Sequence, residues 1–242
     1  MPSAPESELL RKAVILAGGL GTRLAPITET LPKPLVPVKG RPFLGYQLEL
    51  LARHGVAEVL LLTGYKGEMI ESTFGTGEAL GLTLKYSRES APVGTGGALA
   101  QAASLLADEF FLVYGDSYMD LDYQAAARQF RSARGPGAGG LMVVADAQAY
   151  GEVGNVRLDR TGQRVSSYQK GAGGEHTHLD AGVLILTKEV VDFLPKGQPA
   201  MLEEYVYPRL AREGRLLAFP APAKFYDIGT PERLAVFERS IT

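Results

Sequence analysis

Lys12-Ala-Val-Ile-Leu-Ala-Gly-Gly-Leu-Gly-Thr-Arg-Leu24 is the stretch from which the fold can be read. Lys12–Ala17 is a short apolar run stopped by Gly18. A run of that length, ended by glycine, predicts a strand buried on both faces, as in a parallel sheet. The glycine-rich segment after it then lies beyond the carboxyl end of the strand. Open α/β sheets bind their ligands there.

The same alternation continues outward. Helices are predicted over Pro42–Arg53, Glu68–Phe74, Gly96–Leu106 and Tyr123–Arg134. In the first of them Phe43, Tyr46 and Leu50 form one row, Leu44, Leu48 and Leu51 lie beside it, and Gly55 supplies the stop. Strands are predicted over Val59–Thr63, Leu82–Tyr86, Phe110–Tyr114 and Leu141–Asp146. This order implies an α/β fold with a mixed, mainly parallel sheet and right-handed crossovers. The second half is richer in strands. It offers a hairpin of Val153–Leu158 and Val165–Tyr168, a strand Leu179–Leu186, a helix Leu202–Arg212 and a last helix opened by Thr230-Pro231. Residues 12–242 read as one unit with a small strand-rich insertion, behind a flexible leader of residues 1–11. Met1–Glu8 has two prolines, two glutamates and no basic start, unlike a signal peptide.

Composition excludes several classes. Lys and Arg total 25 against 27 Asp and Glu, a net charge of −2 that argues against coating nucleic acid or a membrane by bulk charge. No apolar run approaches the roughly 20 residues that cross a bilayer. Cysteine is absent, so disulfides, a thiol nucleophile and a Cys-based zinc site are excluded, and a cytoplasmic location fits.

Two motifs carry chemistry. The pattern G-x-G-x-x-G begins at Gly19 and Gly21 but fails at Leu24, and no P-loop occurs. The glycines nevertheless let backbone N–H groups approach phosphate oxygens, and Arg23 adds a bidentate cation. A plain turn with a solvated arginine is the alternative. In Pro32-Lys33-Pro34 the prolines stiffen the root of Lys33 and push it toward extended geometry. A rigid surface loop is the alternative there.

Ala17–Leu24 followed at its spacing by Pro32-Lys33 resembles the signature of the sugar-phosphate nucleotidylyltransferases, or nucleoside-diphosphate-sugar pyrophosphorylases. The likeness continues through Gly94-Thr95-Gly96-Gly97-Ala98, Tyr114-Gly115-Asp116, Tyr168-Gln169-Lys170, Asp180-Ala181-Gly182 and Asp227-Ile228-Gly229-Thr230-Pro231. It is strongest to bacterial heptose-1-phosphate and mannose-1-phosphate guanylyltransferases. The resemblance implies a Rossmann-like sheet sandwiched by helices, the nucleotide-diphospho-sugar transferase fold. It implies attack by a sugar 1-phosphate on the α-phosphorus of an NTP, with Mg²⁺ as cofactor and pyrophosphate released. Such a nucleophile is mostly dianionic at pH 7 and needs no general base. Positioning and electrostatics must then supply the rate.

The resemblance also assigns roles. Arg23 would meet the triphosphate, Lys33 the region of the α-phosphate and Lys170 the sugar phosphate; Asp116 and Asp227 would hold Mg²⁺. Ala17, Gly18, Gly19, Gly21, Thr22, Gly94, Thr95 and Gly97 would line the nucleotide. Gly151, Gln169, Asp180 and Gly182 would surround the sugar phosphate. Taken alone, Asp116 is equally a turn aspartate and Asp227 a strand-end aspartate near the Thr230 cap. Glu89, when ionised, only accepts hydrogen bonds. That suits the N1–H and 2-amino group of guanine and favours GTP; an exposed loop glutamate is the alternative. The competing functions are the same chemistry with UTP, dTTP or CTP, and a catalytically silent regulatory subunit. Two positions depart from the common pattern: Gln169 stands where many relatives carry Glu, and Asp180 where many carry Asn. His176 and His178 read as part of a Gly-rich loop rather than a zinc site. A homo-oligomer is compatible with the sequence.

Overall fold

The computed structural model describes residues 9–133, 135, 137–221 and 224–241. Its strands are β1 (Lys12–Ala17), β2 (Pro37–Val38), β3 (Arg41–Pro42), β4 (Glu58–Thr63), β5 (Thr83–Arg88), β6 (Glu109–Tyr114), β7 (Ser117–Met119), β8 (Gly140–Asp146), β9 (Val156–Leu158), β10 (Val165–Tyr168), β11 (His178–Thr187), β12 (Leu216–Pro220) and β13 (Phe225–Asp227). Its α-helices are α1 (Ile27–Thr30), α2 (Phe43–Arg53), α3 (Gly67–Phe74), α4 (Gly94–Gln101), α5 (Tyr123–Ala133), α6 (Ala147–Tyr150), α7 (Leu202–Tyr205), α8 (Tyr207–Arg212) and α9 (Pro231–Ser240).

β1 sits between two parallel neighbours, β4 and β6, and β5 extends the parallel set beyond β4. Its side chains alternate between two apolar layers. Ala13, Ile15 and Ala17 face one with α2, α5 and Phe237 of α9; Val14 faces the other with Leu99 of α4 and Tyr207 and Leu210 of α8. Both faces of the sheet are therefore covered by helices, which is why β1 is apolar from Ala13 to Ala17. The order β10-β9-β11-β6-β1-β4-β5 reverses direction of travel at β1 and β6. That switch point opens a crevice between the ends of the two strands.

The structure adjusts several expectations. The strand read as Leu141–Asp146 is not part of the parallel core: β8 runs antiparallel to β11 and parallel to β12. The helix read as Leu202–Arg212 is broken at Val206, because Pro208 has no N–H to continue the ladder. The helix read as Gly96–Leu106 starts at Gly94 and gives way to a 3₁₀ turn, Ala103–Leu105. Arg134, read as the end of a helix, lies outside the described residues, as does Met1–Glu8. Leu10 and Arg11, read as leader, are tied to the body: Leu10 is buried and exchanges hydrogen bonds with the Gln124 side chain, and the Arg11 carbonyl accepts from Ala57 and Glu58. Among the described residues no helix is long and apolar enough to cross a membrane.

Candidate active site

The loops after β1 and β6 meet over a cavity of about 450 Å³. Ala17, Gly18, Gly19, Gly21, Thr22 and Arg23 line it, together with Glu89, Gly94 and Thr95 and with Lys33 and Asp116. Gly21 has φ 65°, and a Cβ there would lie 3.0 Å from Cβ of Lys33. Only glycine lets the loop cross the lysine in this backbone region. Arg23 is exposed in a 3₁₀ turn, pairs with no carboxylate among the described residues, and lies against Gly229.

Lys33 is not extended. It opens a 3₁₀ turn in which Leu35 donates to the Pro32 carbonyl and Val36 to that of Lys33, two bonds that outweigh the bias of Pro34. Its ammonium donates to Oδ2 of Asp116 at 2.6 Å, with the lysine side chain only 11% exposed. Asp116 follows Gly115, which is pressed against β1 so closely that a Cβ would stand 2.5 Å from the Leu16 carbonyl.

β13 pairs with β7 so that Asp227 lies opposite Ser117, and Ile228 donates to the Asp116 carbonyl. Asp227 thus joins Asp116 at the sheet edge, although it faces a second cavity of about 340 Å³ shared with Tyr150 and Asp180. Its Oδ2 accepts from Arg233 at 2.7 Å and its Oδ1 from the Gly229 N–H at 2.8 Å. Among the described residues Asp116 Oδ1 meets only the Ser117 hydroxyl, at 3.4 Å. Among the described residues no group of three His, Cys, Asp or Glu converges. A carboxylate has about four lone-pair sites, so both aspartates keep acceptor capacity. Two carboxylates with room for phosphate oxygens suit Mg²⁺ better than a metal that needs a closed protein cage.

Glu89 is half-buried rather than exposed. Its carboxylate lies against Gly18 and Gly64 and accepts weakly from the Val93 N–H, and burial raises its pKa. Gly97 does not line the cavity; it is buried, facing Val93 and the Ala200 carbonyl that accepts from both Gly96 and Gly97. Thr95 donates to Glu203 at 2.8 Å and accepts from the Leu202 N–H. Gln169, Lys170 and Gly151 are exposed on loops and line neither cavity. Lys170 stands at the start of a glycine turn that leaves its side chain in solvent. Gly182 is buried behind Ser117. His176 bonds Ser167 and His178 bonds Thr177.

Asp180 is held by the Gly182 N–H, which donates to it at 2.9 Å, near Glu203, the half-buried Tyr114 and the buried Tyr168 and Tyr207. Burial pushes its carboxyl up to about 7; the Gly182 N–H opposes this and the charge of Glu203 adds to it. The folded protein therefore holds this proton up to about pH 7, whereas the unfolded chain releases it near pH 4. Folding binds the extra proton, so this contribution to stability is present below pH 4 and is lost as pH rises through 7. Asp180→Asn is expected to raise Tm by several degrees at pH 8, with the gain shrinking toward pH 4. A gain independent of pH would show that Asp180 is ionised in the fold.

The profile of the family described as nucleotidyl transferase matches residues 12–242. The chain belongs to the nucleotidyl transferase family. A mannose-1-phosphate guanylyltransferase of Mycobacterium tuberculosis is 35% identical over 223 residues, 91% of this chain and 61% of that protein. A D-glycero-alpha-D-manno-heptose 1-phosphate guanylyltransferase of Campylobacter jejuni is 31% identical over 222 residues, 91% of this chain and 96% of that one. This nucleotidyl transferase thus spans about three fifths of the first relative and nearly all of the second. HddC from Yersinia pseudotuberculosis, solved also complexed with GMP-PN, superposes with a TM-score of 0.78 at 29% identity, covering 96% of this chain and 100% of that one. The nucleotide-diphospho-sugar transferase fold and the membership implied by Ala17–Leu24 both stand.

Two site residues of this nucleotidyl transferase carried no signal in the sequence reading. Arg233 bonds Asp227 and also Glu152, joining the sheet edge to the loop after α6. Its only sequence mark is a basic residue three places into a capped helix. Glu203 sits between Thr95 and Asp180.

Proposed function

We propose that this chain transfers a guanylyl group from GTP to a sugar 1-phosphate and releases pyrophosphate. One observation carries the reading: a glycine-rich turn with Arg23, the Lys33–Asp116 pair and Glu89 converge on one cavity from four separate places in the chain. The names of the relatives make mannose and manno-heptose 1-phosphates the first sugars to test.

In this reaction an oxygen of the sugar phosphate forms a bond to the α-phosphorus of GTP. The bond from that phosphorus to the bridging oxygen breaks, and the electron pair leaves with pyrophosphate. Arg23 offers a two-pronged donor to the growing charge on the leaving group. Lys33, held in its 3₁₀ turn, lowers the repulsion between two anions brought together. Backbone N–H groups of the Gly18–Thr22 turn orient the phosphate chain. Asp116 and Asp227 would hold Mg²⁺, which when bound neutralises charge on the reacting phosphates. Lys170 is assigned to the sugar phosphate, and Gly151, Gln169, Asp180 and Gly182 to the sugar side. Glu89 reads the N1–H and 2-amino group of guanine.

A pyrophosphate-release screen of GTP, ATP, UTP, dTTP and CTP against a panel of sugar 1-phosphates tests this directly. Turnover is expected with GTP above the others. Glu89→Gln is expected to narrow the preference for GTP over UTP by about tenfold, the scale of a hydrogen bond to a charged group. An unchanged preference would remove Glu89 from base selection, and no turnover with any pair would end the reading.

A further inference from the structure

Gln47 is an uncharged polar side chain on the apolar face of α2, and it is only 2% exposed. Its Nε2 donates to the Tyr114 carbonyl at 2.9 Å and to the Ser117 carbonyl at 2.6 Å. These two carbonyls flank Gly115 and Asp116. Its Oε1 is buried with no hydrogen-bond partner. A flipped amide would set that oxygen against both carbonyls, so the donors fix the orientation. An orphaned buried acceptor is unfavourable. An apolar side chain of the same shape would avoid it, so the two donors are what the amide contributes here.

We propose that Gln47 is a positioning residue for the transfer reaction, clamping the Tyr114–Ser117 turn so that Asp116 is held in the cavity lining against Lys33. The turn is fixed from three sides: by Gln47, by Gly115 donating to the Leu16 carbonyl, and by Ile228 donating to the Asp116 carbonyl. Only the first comes from a side chain outside the sheet. Without it the turn keeps its strand contacts, but the carboxylate is no longer held against Lys33. The proposal rests on the guanylyltransferase reading and on Asp116 as a metal ligand.

The test uses the full chain with Gln47→Met, which keeps the side-chain length and removes both donors. Gln47→Leu, also apolar but smaller, serves if the first variant does not fold. Expected are a kcat for pyrophosphate release lowered about 10- to 100-fold, a GTP KM changed less than about threefold, and Mn²⁺ affinity by EPR, with non-hydrolysable GTP analogue, weakened about tenfold. Amide exchange at Ile228 should accelerate while the β1–β4 ladder keeps its protection. Unchanged kcat and Mn²⁺ affinity would overturn the proposal. So would a uniform loss of protection and Tm without the split between kcat and KM. A wild type that turns over no NTP overturns the functional reading instead, and the exchange and Mn²⁺ measurements still decide on Gln47.

Discussion

Asp116→Asn is expected to lower pyrophosphate release by about a hundred- to a thousandfold, the scale of removing one fixed group from a preorganised charge-stabilising site. The change is isosteric, so the Gly115–Ser117 turn keeps its bonds to Leu16, Ile228 and Gln47. What it removes is the charge that faces Lys33 at 2.6 Å and the proposed ligand for Mg²⁺. Two further readouts separate this from unfolding. Tm should move by only a few degrees, because a half-buried pair of this kind contributes modestly to stability. GTP affinity in EDTA should hold or improve, because a negative charge has been taken from beside an anion. Weaker GTP binding in EDTA with near-normal turnover would sink the role of Asp116.

Arg23→Met should reduce kcat/KM for GTP by about a thousandfold, the lower end of what a transition-state arginine contributes to phosphoryl transfer. Arg23 is exposed and pairs with no carboxylate among the described residues, so nothing in the fold depends on its charge. Tm should be unchanged. Arg23→Lys should recover little, because an ammonium lacks the planar fork. The KM for the sugar 1-phosphate should change by less than about threefold, which distinguishes a nucleotide-side cation from a general loss of positive field. A loss below tenfold, or one shared equally by both substrates, would show that Arg23 is a solvated turn residue.

The local part of this molecule was legible because its causes are local. Lys12–Ala17 matches β1 residue for residue, and Gly55 ends α2 with φ 80°, as a glycine stop should. Thr230 caps α9 through the Arg233 N–H, with Pro231 at its first position. What could not be read depends on distant partners. β13 is three residues long and exists because β7 offers it an edge. β12 pairs with β8 across 69 residues of intervening chain. Lys33 departs from the extended geometry that Pro34 favours because that steric effect is a bias, and two turn hydrogen bonds override it. Gln47 did leave a trace: a lone amide among Phe43, Leu44, Leu48, Leu50 and Leu51 on a buried helix face. Such a residue needs a buried partner, and only the folded chain reveals that the partner is the Asp116 turn.

The carbonyl of Ala200 has a wider consequence. It accepts from Gly96 and Gly97 at the start of α4, and two and three residues later Leu202 and Glu203 grip Thr95. Glu203 in turn adds its charge to the burial that raises the Asp180 carboxyl beside the second cavity. On the proposed assignment of the two cavities, the floor under one reactant is thus bolted to the wall beside the other. Efforts to retune the acceptor by substitutions at Asp180 or Glu203 will disturb how the donor is seated, so broadened sugar choice and sloppier nucleotide choice should be inherited together.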